Sequence, residues 1–498
     1  MITDARRLPD RTTLTADLCI IGTGPAGITL CRALAQSGLD IVVLESGDLD
    51  PDDATQELAG ATAIGQPIDW FGRQELGQLR ARQVGGSSNL WVGLCRPLDP
   101  VDFGPLPARG DTTWPFDRAE MDPYYAQAQE DCQLGPYDYD PAGWARAADL
   151  EPLASEGLQT SVLQFSPPTR FGTRYRQDLE EGPRLEVVVR ANVTSIRTSP
   201  DGSGVSGVDA RTLDGTSLTV AASAYVLAAG ALENARLLLI GDDQRAGGIG
   251  NGRDLVGRFF MEHPAVRAAR VIGRFGGLTE AFERIEPEVG GRPVPVRFSL
   301  SPTPAAMLEW GIPNATVMLR KVLFGEAFEV PEKVGGSEIR ALIARRGPTD
   351  DVFAEIVWEQ QPNPDSRVLL DPTARDALGM PRTQLDWRLT PSDHEVPGRV
   401  LSWLGHELGR LGVGRAEVLM GSQPTTERPI ACNAHHLGTT RIDPDPARGV
   451  VDADLKVHGV ANLWVAGSSV FPTGGWSNPT LTVVALARRL ADQLGRSV

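Results

Sequence analysis

The chain has 498 residues, of which 41% are hydrophobic and 22% are charged, so it can bury a large core and lacks the composition of a disordered protein. It carries 48 Lys plus Arg against 64 Asp plus Glu, a net charge of −16, which argues against nucleic acids and anionic membranes as partners. No stretch reaches the roughly 20 apolar residues that a membrane helix requires. A neutral or cationic small molecule fits this charge better as a ligand, but excess acidic residues also serve solubility alone.

The N-terminal segment MITDARRLPDRTTLTADLCIIG is polar and contains proline where a secretory signal would be apolar, so a cytoplasmic location is expected. The cysteines are scattered and lack the spacing of metal ligands, which predicts reduced thiols and no metal site. They are Cys19, Cys31, Cys95, Cys132 and Cys432.

Residues 15–47 have the pattern of a strand, a turn, a helix and a second strand. The first apolar run ends in GTGPAG (residues 22–27), which has G-x-G-x-x-G spacing, and the second ends in Glu45. Gly22 permits a tight turn, Gly24 lets a pyrophosphate approach the backbone, and Gly27 lets the helix pack close to the strand. The helix N-terminus favours phosphates, and Glu45 can accept hydrogen bonds from ribose hydroxyls. The pattern predicts a dinucleotide site without distinguishing FAD from NAD.

Three later segments have features of a nucleotide site, and the first two of them also have an ordinary structural explanation. Residues 82–93, RQVGGSSNLWVG, form a turn of small residues that can bring backbone N–H groups against a phosphate or a flat ring, although an ordinary Gly/Ser turn has the same composition. Residues 224–239, AYVLAAGALENARLLL, read as a strand running into a helix, which packing alone can explain. Residues 461–494 read as a strand, a small-residue turn and a final helix that starts near NPT.

Taken together, these segments occur in the order found in the glucose-methanol-choline (GMC) family of FAD-dependent oxidoreductases, which the chain resembles from about residue 18 to residue 494. The matching segments are VGGSSNLW, AAGALENARLLL, HHLGTT, VVDADLKVHGVANLWVAGSSVFPT and NPTLT. Residues 359–393 resemble the substrate domain of that family. The segments GLCRPLDPVDF and NPTLT look closest to bacterial pyranose-oxidase-like and glycoside-oxidising members.

The resemblance implies FAD as the cofactor. In some relatives a histidine just before the tryptophan of GGSSNLW binds the flavin covalently, whereas this chain has Leu90 there, so we expect non-covalent FAD. The residues assigned to FAD binding are Gly22, Gly24, Pro25, Ala26, Gly27, Glu45, Gly85, Gly86, Ser87, Asn89, Leu90, Val193, Ala229, Gly467, Asn478 and Thr480.

The adjacent histidines His435 and His436 are candidates for catalysis in a chain that has six histidines. Members of the family keep a histidine in an H-x-x-G-T motif and a second His or Asn near the end of the chain, both at the reactive edge of the flavin. His435 fits the motif, and Asn478 is the matching partner. Neighbouring side chains of an extended segment point to opposite faces, so His436 is expected to support the site without touching the flavin. A register one residue away would exchange the two roles.

This pair suits the oxidation of an alcohol. A neutral imidazole beside the hydroxyl group acts as general base while hydride leaves the carbon. Asn478 can donate an amide N–H to the developing alkoxide. The final electron acceptor is O2 or another acceptor, and a protonated His435 would favour O2. His263 and His458 lie in segments that resemble family framework, so structural roles are expected for both.

The predicted fold class is α/β, or α+β overall, with two domains. A discontinuous Rossmann-like FAD-binding domain is expected over residues 1–265 and 430–498, with peripheral insertions, and a substrate-binding domain over residues 266–429. The segments PVPVRFSLSP, NATVMLRKVLF, DVFAEIVWEQ and RTQLDWRL look like strands. By the resemblance they form a mainly antiparallel sheet that holds the substrate against the flavin.

The function implied by the resemblance is FAD-dependent oxidation of an alcohol group of a sugar, glycoside or amino-sugar natural product to a ketone or aldehyde, by an oxidase or a dehydrogenase. An aliphatic or sterol alcohol is an alternative substrate. Two alternatives belong to other classes: a lyase in which FAD is structural and His435 does acid/base work, and an FAD-binding protein without catalysis. The intact pair of His435 and Asn478 argues against the last.

Overall fold

The computed structural model describes residues 1–69, 75–241, 247–320, 350–418 and 430–497. Its strands, in chain order, are β1 (Ile2–Asp4), β2 (Thr12–Ile21), β3 (Ile41–Leu44), β4 (Ala61–Ala63), β5 (Ile68–Asp69), β6 (Leu94–Cys95), β7 (Leu158–Phe165), β8 (Leu185–Val189), β9 (Asn192–Thr198), β10 (Val205–Arg211), β11 (Ser217–Leu227), β12 (Pro264–Gly273), β13 (Glu288–Val289), β14 (Arg292–Pro293), β15 (Val296–Pro302), β16 (Ala315–Arg320), β17 (Asp350–Trp358), β18 (Arg367–Arg375), β19 (Pro381–Asp386), β20 (Gly414–Val418), β21 (Ile430–Cys432) and β22 (Leu463–Val465).

The α-helices are fewer and mostly short. They are α1 (Pro25–Ala33), α2 (Asp53–Glu57), α3 (Pro100–Phe103), α4 (Arg118–Asp131), α5 (Pro141–Ala147), α6 (Phe171–Arg174), α7 (Arg176–Glu181), α8 (Ala231–Ile240), α9 (Leu278–Ala281), α10 (Pro304–Trp310), α11 (Pro391–Arg410) and α12 (Thr480–Ser497). Single 3-10 turns cover Ala5–Arg7, Leu76–Leu79, Gly86–Asn89, Pro107–Arg109 and Ser468–Val470.

The first sheet has a parallel centre with the order β1-β8-β3-β2-β11. At its carboxyl end β11 also pairs with β22 in parallel, and its first half forms an antiparallel meander with β10 and β9. The apolar run Leu18–Ile21 of β2 is almost completely buried, as expected of a parallel strand that is covered on both faces. Helix α1 packs against α12 beside this sheet. The Rossmann-like part of the predicted fold is thus confirmed.

The second sheet has the order β5-β21-β12-β17-β16-β15-β7-β6, with β20 also paired to β12. Its neighbours are antiparallel except for β21 with β5, which confirms the mainly antiparallel sheet. Three of the four predicted strand segments contribute β15, β16 and β17, and residues 321–324 of NATVMLRKVLF lie outside the described residues. The fourth segment forms β19, which instead belongs to a small sheet with β18 and β4.

The domain boundaries stay a prediction. Strands β5, β6, β7 and β21 belong to the second sheet although their residues fall within the ranges assigned to the FAD-binding domain. Residues 321–349 and 419–429 of the predicted substrate domain are outside the described residues. Within the described ranges, no helix has the length and apolar character needed to cross a membrane.

All five cysteines are buried and free of disulfide bonds, in agreement with the expected reduced thiols. Cys19 lies within β2. Burial raises the pKa of the Cys31 thiol to about 12, so this group stays protonated and unreactive.

Candidate active site

A cavity of about 600 Å³ opens where β2, β3 and β11 end, the edge at which parallel sheets bind ligands. Most residues that the sequence assigned to the cofactor or to catalysis line this one cavity. They are Gly22, Gly24, Pro25, Ala26, Glu45, Gly86, Ser87, Leu90, Val193, Ala229, His435, His436, Gly467, Asn478 and Thr480.

The dinucleotide turn between β2 and α1 requires two of its glycines for steric reasons. Gly22 has φ +105°, and a Cβ there would lie 2.6 Å from the carbonyl oxygen of Ala228 at the end of β11. A Cβ on Gly27 would lie 2.0 Å from the carbonyl oxygen of Gly22. Gly24 differs, because a Cβ at this position would meet no protein atom within 4 Å. The open side of Gly24 therefore faces the space into which a phosphate can approach the helix N-terminus.

Glu45 ties the end of β3 to the same turn. One of its carboxylate oxygens accepts hydrogen bonds from the Thr23 backbone N–H (2.9 Å) and hydroxyl (2.5 Å), and the other accepts from the Gly47 N–H (2.7 Å). The side chain is buried but lines the cavity. Glu45 is thus held in place by the chain itself before any ribose hydroxyl approaches it.

The Gly/Ser turn packs directly on the dinucleotide turn, since a Cβ on Gly86 would lie 2.8 Å from the Cα of Gly24. Three assigned residues do not line the cavity: Gly27, Gly85 and Asn89. Gly85 supplies a positive φ of +96°, and the Asn89 amide donates to the Val84 carbonyl oxygen over 3.1 Å. Each of these residues shapes a turn beside the cavity, and their assignment to FAD binding stays a prediction.

His435 lies between two polar partners at the cavity wall. Its Nε2 is 3.1 Å from Nδ2 of Asn478, and its Nδ1 is 2.8 Å from Nδ1 of His263. The other ring nitrogen of His263 is 3.2 Å from the carbonyl oxygen of Gly474. The structure thus joins His435 to Asn478, as the sequence predicted, and adds His263, for which a framework role was expected.

Glu262 connects the two histidine segments. One of its carboxyl oxygens accepts the backbone N–H groups of His263 (3.1 Å) and His435 (2.9 Å). Its other oxygen lies 3.5 Å from Nε2 of His436, whose ring also packs against Phe260. Burial raises the pKa of Glu262 to about 8, so the carboxyl group is largely neutral at pH 7.

The three histidines are held neutral by burial. Burial is the main cause that lowers the pKa of His435 well below its usual 6.5, with smaller contributions from His263 and His436. It lowers the pKa of His263 to about 4 and that of His436 to about 3. Because an uncharged imidazole keeps one nitrogen lone pair, His435 is available as a base at neutral pH.

The backbone before His435 is strained. Ala434 has φ +58°, a left-handed conformation that costs a non-glycine residue about 1 kcal/mol or more. The hydrogen bond from the His435 N–H to Glu262 holds the following residue in position. Strain of this kind concentrates at sites where a side chain must be aimed accurately.

A buried ionic cluster supports the loop that leads to α12. The Gly475 N–H donates to Glu359 over 3.1 Å, and Arg109 pairs with both oxygens of Glu359 at 2.9 and 3.0 Å. The indole N–H of Trp476 donates to Asp99 over 3.1 Å. These contacts fix the segment that presents Asn478 to His435. No motif in the sequence predicted this cluster.

The comparisons with family models cover both ends of the chain. A model described as GMC oxidoreductase matches residues 362–487, and a model described as FAD dependent oxidoreductase matches residues 17–245. The first contains His435 and Asn478, and the second contains the dinucleotide turn.

Individual relatives extend over nearly the full length. The chain is 27% identical to paromamine 6'-oxidase of Streptomyces fradiae, over 95% of this chain and 90% of the relative. It is 23% identical to the fructose dehydrogenase large subunit of Gluconobacter japonicus, over 97% of this chain and 98% of the relative. A shorter match of 38% identity links 26% of this chain to 25% of a C-glycoside 3-oxidase of Arthrobacter globiformis.

Solved structures show the same fold. Pyridoxine 4-oxidase from Mesorbium loti superposes with a TM-score of 0.60 at 19% identity, over 96% of this chain and 98% of that chain. Formate oxidase of Aspergillus oryzae superposes with a TM-score of 0.60 at 16% identity, over 98% of this chain and 99% of that chain.

Proposed function

Because the chain belongs to the GMC family of FAD-dependent oxidoreductases and acts on alcohols, we propose that its substrate is a sugar or glycoside, one hydroxyl group of which is oxidised to a ketone or aldehyde. The observation that carries the proposal is the pair formed by His435 Nε2 and Asn478 Nδ2, 3.1 Å apart at the cavity wall. Relatives that match nearly the whole chain are named for the oxidation of paromamine and fructose, which supports a carbohydrate-like substrate.

The residues around the cavity fit FAD. The cavity volume of about 600 Å³ lies within the range of cofactor sites. The open side of Gly24 leaves room for a pyrophosphate at the N-terminus of α1. Thr23 and Gly47 hold Glu45 beside this turn. When bound, FAD supplies the acceptor for the hydride that leaves the alcohol carbon.

The chain's own contribution is the movement of the hydroxyl proton. His435 is neutral and takes the proton of the substrate hydroxyl at Nε2. The amide N–H of Asn478 then donates to the substrate oxygen as negative charge develops there. Since Nε2 and the amide already lie 3.1 Å apart, a single oxygen atom can contact both. His436 also lines the cavity, and its contacts with Glu262 and Phe260 support this arrangement.

The test is a comparison of kcat/KM for sugars and glycosides with that for simple aliphatic alcohols. The carbohydrate substrates are expected to react at least about tenfold better, a difference of about 1.4 kcal/mol. A preference for the simple alcohols would contradict the proposed substrate class.

The attachment of FAD gives a separate prediction at Leu90. This side chain is 40% exposed, lines the cavity and has no group that can bond to the flavin. Acid precipitation is therefore expected to leave the yellow colour in the supernatant. Colour that stays in the protein pellet would show a covalent link at another residue.

The lowered pKa of His435 gives a prediction for pH. Burial disfavours the protonated ring, so the base stays active below the usual histidine pKa of 6.5. We expect the limiting rate of flavin reduction to stay constant as the pH falls from about 7, where Glu262 is already largely neutral, to about 5. The measurement is anaerobic stopped-flow at saturating substrate, with FAD content checked at each pH. A fall in rate centred near pH 6.5 would contradict the prediction.

A further inference from the structure

His263 belongs to a chain of hydrogen-bonding groups that ends at the proposed base. The Gly474 carbonyl oxygen lies 3.2 Å from Nε2 of His263, Nδ1 of His263 lies 2.8 Å from Nδ1 of His435, and Nε2 of His435 lies 3.1 Å from the amide nitrogen of Asn478. Both ends of this chain have a fixed polarity, because a carbonyl oxygen only accepts a hydrogen bond and an amide nitrogen only donates one.

The polarity of the ends determines where the protons lie. Nε2 of His263 must carry a hydrogen in order to donate to Gly474. A neutral His263 then has a bare Nδ1, which accepts the N–H of His435 Nδ1. His435, also neutral, is left with a bare Nε2, which accepts from Asn478. The tautomer of His435 deduced from the Gly474 carbonyl is the same as the tautomer deduced from the Asn478 amide.

We propose that His263 is a positioning residue that holds His435 in the Nδ1–H tautomer, so that Nε2 is the basic atom facing the substrate. The inference deepens the proposed function and rests on it, since it takes His435 as the base. It assigns His263 no direct contact with the substrate. An imidazole in the opposite tautomer would present an N–H to the hydroxyl group and could not accept its proton.

A neutral histidine in this place differs from the carboxylate that orients many catalytic histidines. A carboxylate would fix the same tautomer but would raise the pKa of the base. The lone pair of a neutral His263 fixes the tautomer without that electrostatic effect. Burial can therefore keep the pKa of the oriented His435 well below the usual value.

His263 is itself held firmly. It has no exposed surface. Its backbone N–H donates to Glu262, and its backbone carbonyl oxygen accepts from the Asn433 side chain over 2.9 Å. A Cβ on Gly474 would lie 3.2 Å from Nε2 of His263, so a residue without a side chain lets the loop carbonyl approach the ring. A rigid acceptor is what control of a tautomer requires.

The direct test is 15N NMR of the histidine side chains in protein labelled with 15N-histidine, with the His435 signals assigned from their loss in His435→Asn. The Nδ1 and Nε2 shifts of a neutral ring report which nitrogen carries the hydrogen. We expect the Nδ1–H form for His435 in the unmodified protein. The Nε2–H form there would overturn the inference, and this reading requires no substitution at His263.

Two variants complete the test. His263→Leu removes the acceptor and keeps a bulky side chain, whereas His263→Asn can present its amide oxygen near the position of Nδ1. In His263→Leu we expect a gain of the Nε2–H form and a loss of flavin-reduction rate on the order of 100-fold. His263→Asn should restore the Nδ1–H form and reduce the flavin at least about tenfold faster than His263→Leu does. Equal tautomers and equal rates in the two variants would overturn the inference.

Failure of the inference and failure of the proposed function give different results. An unchanged rate of flavin reduction in His435→Ala would remove the proposed base, whatever the tautomer. A large loss in His435→Ala together with the Nε2–H form in the unmodified protein would leave the base in place and remove only the role of His263. FAD content of each variant shows that the site has formed.

Discussion

His435→Ala is expected to lower the limiting rate of flavin reduction on the order of 1,000-fold while FAD remains bound, because a general base contributes 10²–10⁴ to such a step. The ring lies 3.1 Å from Asn478, whereas the glycines and Glu45 of the dinucleotide turn lie elsewhere in the cavity wall. Loss of the imidazole should therefore remove the proton acceptor and leave the cofactor site. The measurement is anaerobic stopped-flow with a substrate that reduces the unmodified enzyme.

His436→Ala is the matched control, since it removes the same side chain one residue away. His436 is 8% exposed and contacts Phe260 and Glu262, and it has no polar contact with Asn478. Its removal is expected to slow flavin reduction by less than about tenfold. Equal losses in the two variants, or a larger loss at His436, would mean that the roles of the two histidines are exchanged.

Gly24→Val is expected to weaken FAD binding roughly 100-fold without unfolding the protein, equivalent to about 3 kcal/mol of overpacking in the site. A Cβ at this position meets no protein atom within 4 Å, so the fold tolerates the substitution. The added methyl groups would instead occupy the space at the N-terminus of α1 that a phosphate needs. FAD affinity is measured by titration of the apoprotein and folding by circular dichroism.

Gly104→Val is the control for Gly24→Val. Gly104 ends α3, has φ −95°, and a Cβ there also meets no protein atom within 4 Å, but it does not line the cavity. Its FAD affinity should be unchanged. If Gly24→Val bound FAD as tightly as the control does, the claim that a phosphate lies against Gly24 would be contradicted.

Local parts of the site were predictable because short-range geometry determines them. Gly22 and Gly27 are required by contacts within one turn and with the neighbouring strand, and a G-x-G-x-x-G spacing between two apolar runs reports that geometry directly. The segments of β15 to β17 were likewise recognisable as strands from the sequence. The partnership of His435 with Asn478 came from the family resemblance and not from any local pattern.

His263 could not be placed in the site from the sequence, because it lies 172 positions before His435. The two meet because β12 and β21 pair antiparallel with Pro264 opposite Cys432. That register brings the residue before β12 close to the loop after β21. Register between distant strands depends on the packing of the whole sheet, which no single segment encodes.

The second sheet illustrates the same limit. Strands β6 and β7 precede the predicted substrate domain by many residues, yet β7 pairs with β15 along its length. Their residues fall within the range that the sequence assigned to the FAD-binding domain. The three-dimensional pairing places both strands in the second sheet.

The most direct test of the central claim is the anaerobic visible spectrum of the purified protein, titrated with monosaccharides, glycosides, aminoglycosides and simple alcohols. We expect the flavin band to bleach with a sugar or glycoside, and admission of air then separates an oxidase from a dehydrogenase. Bleaching by simple alcohols alone would contradict the carbohydrate substrate. A flavin that no alcohol bleaches would contradict alcohol oxidation at His435 and favour a lyase on the same scaffold.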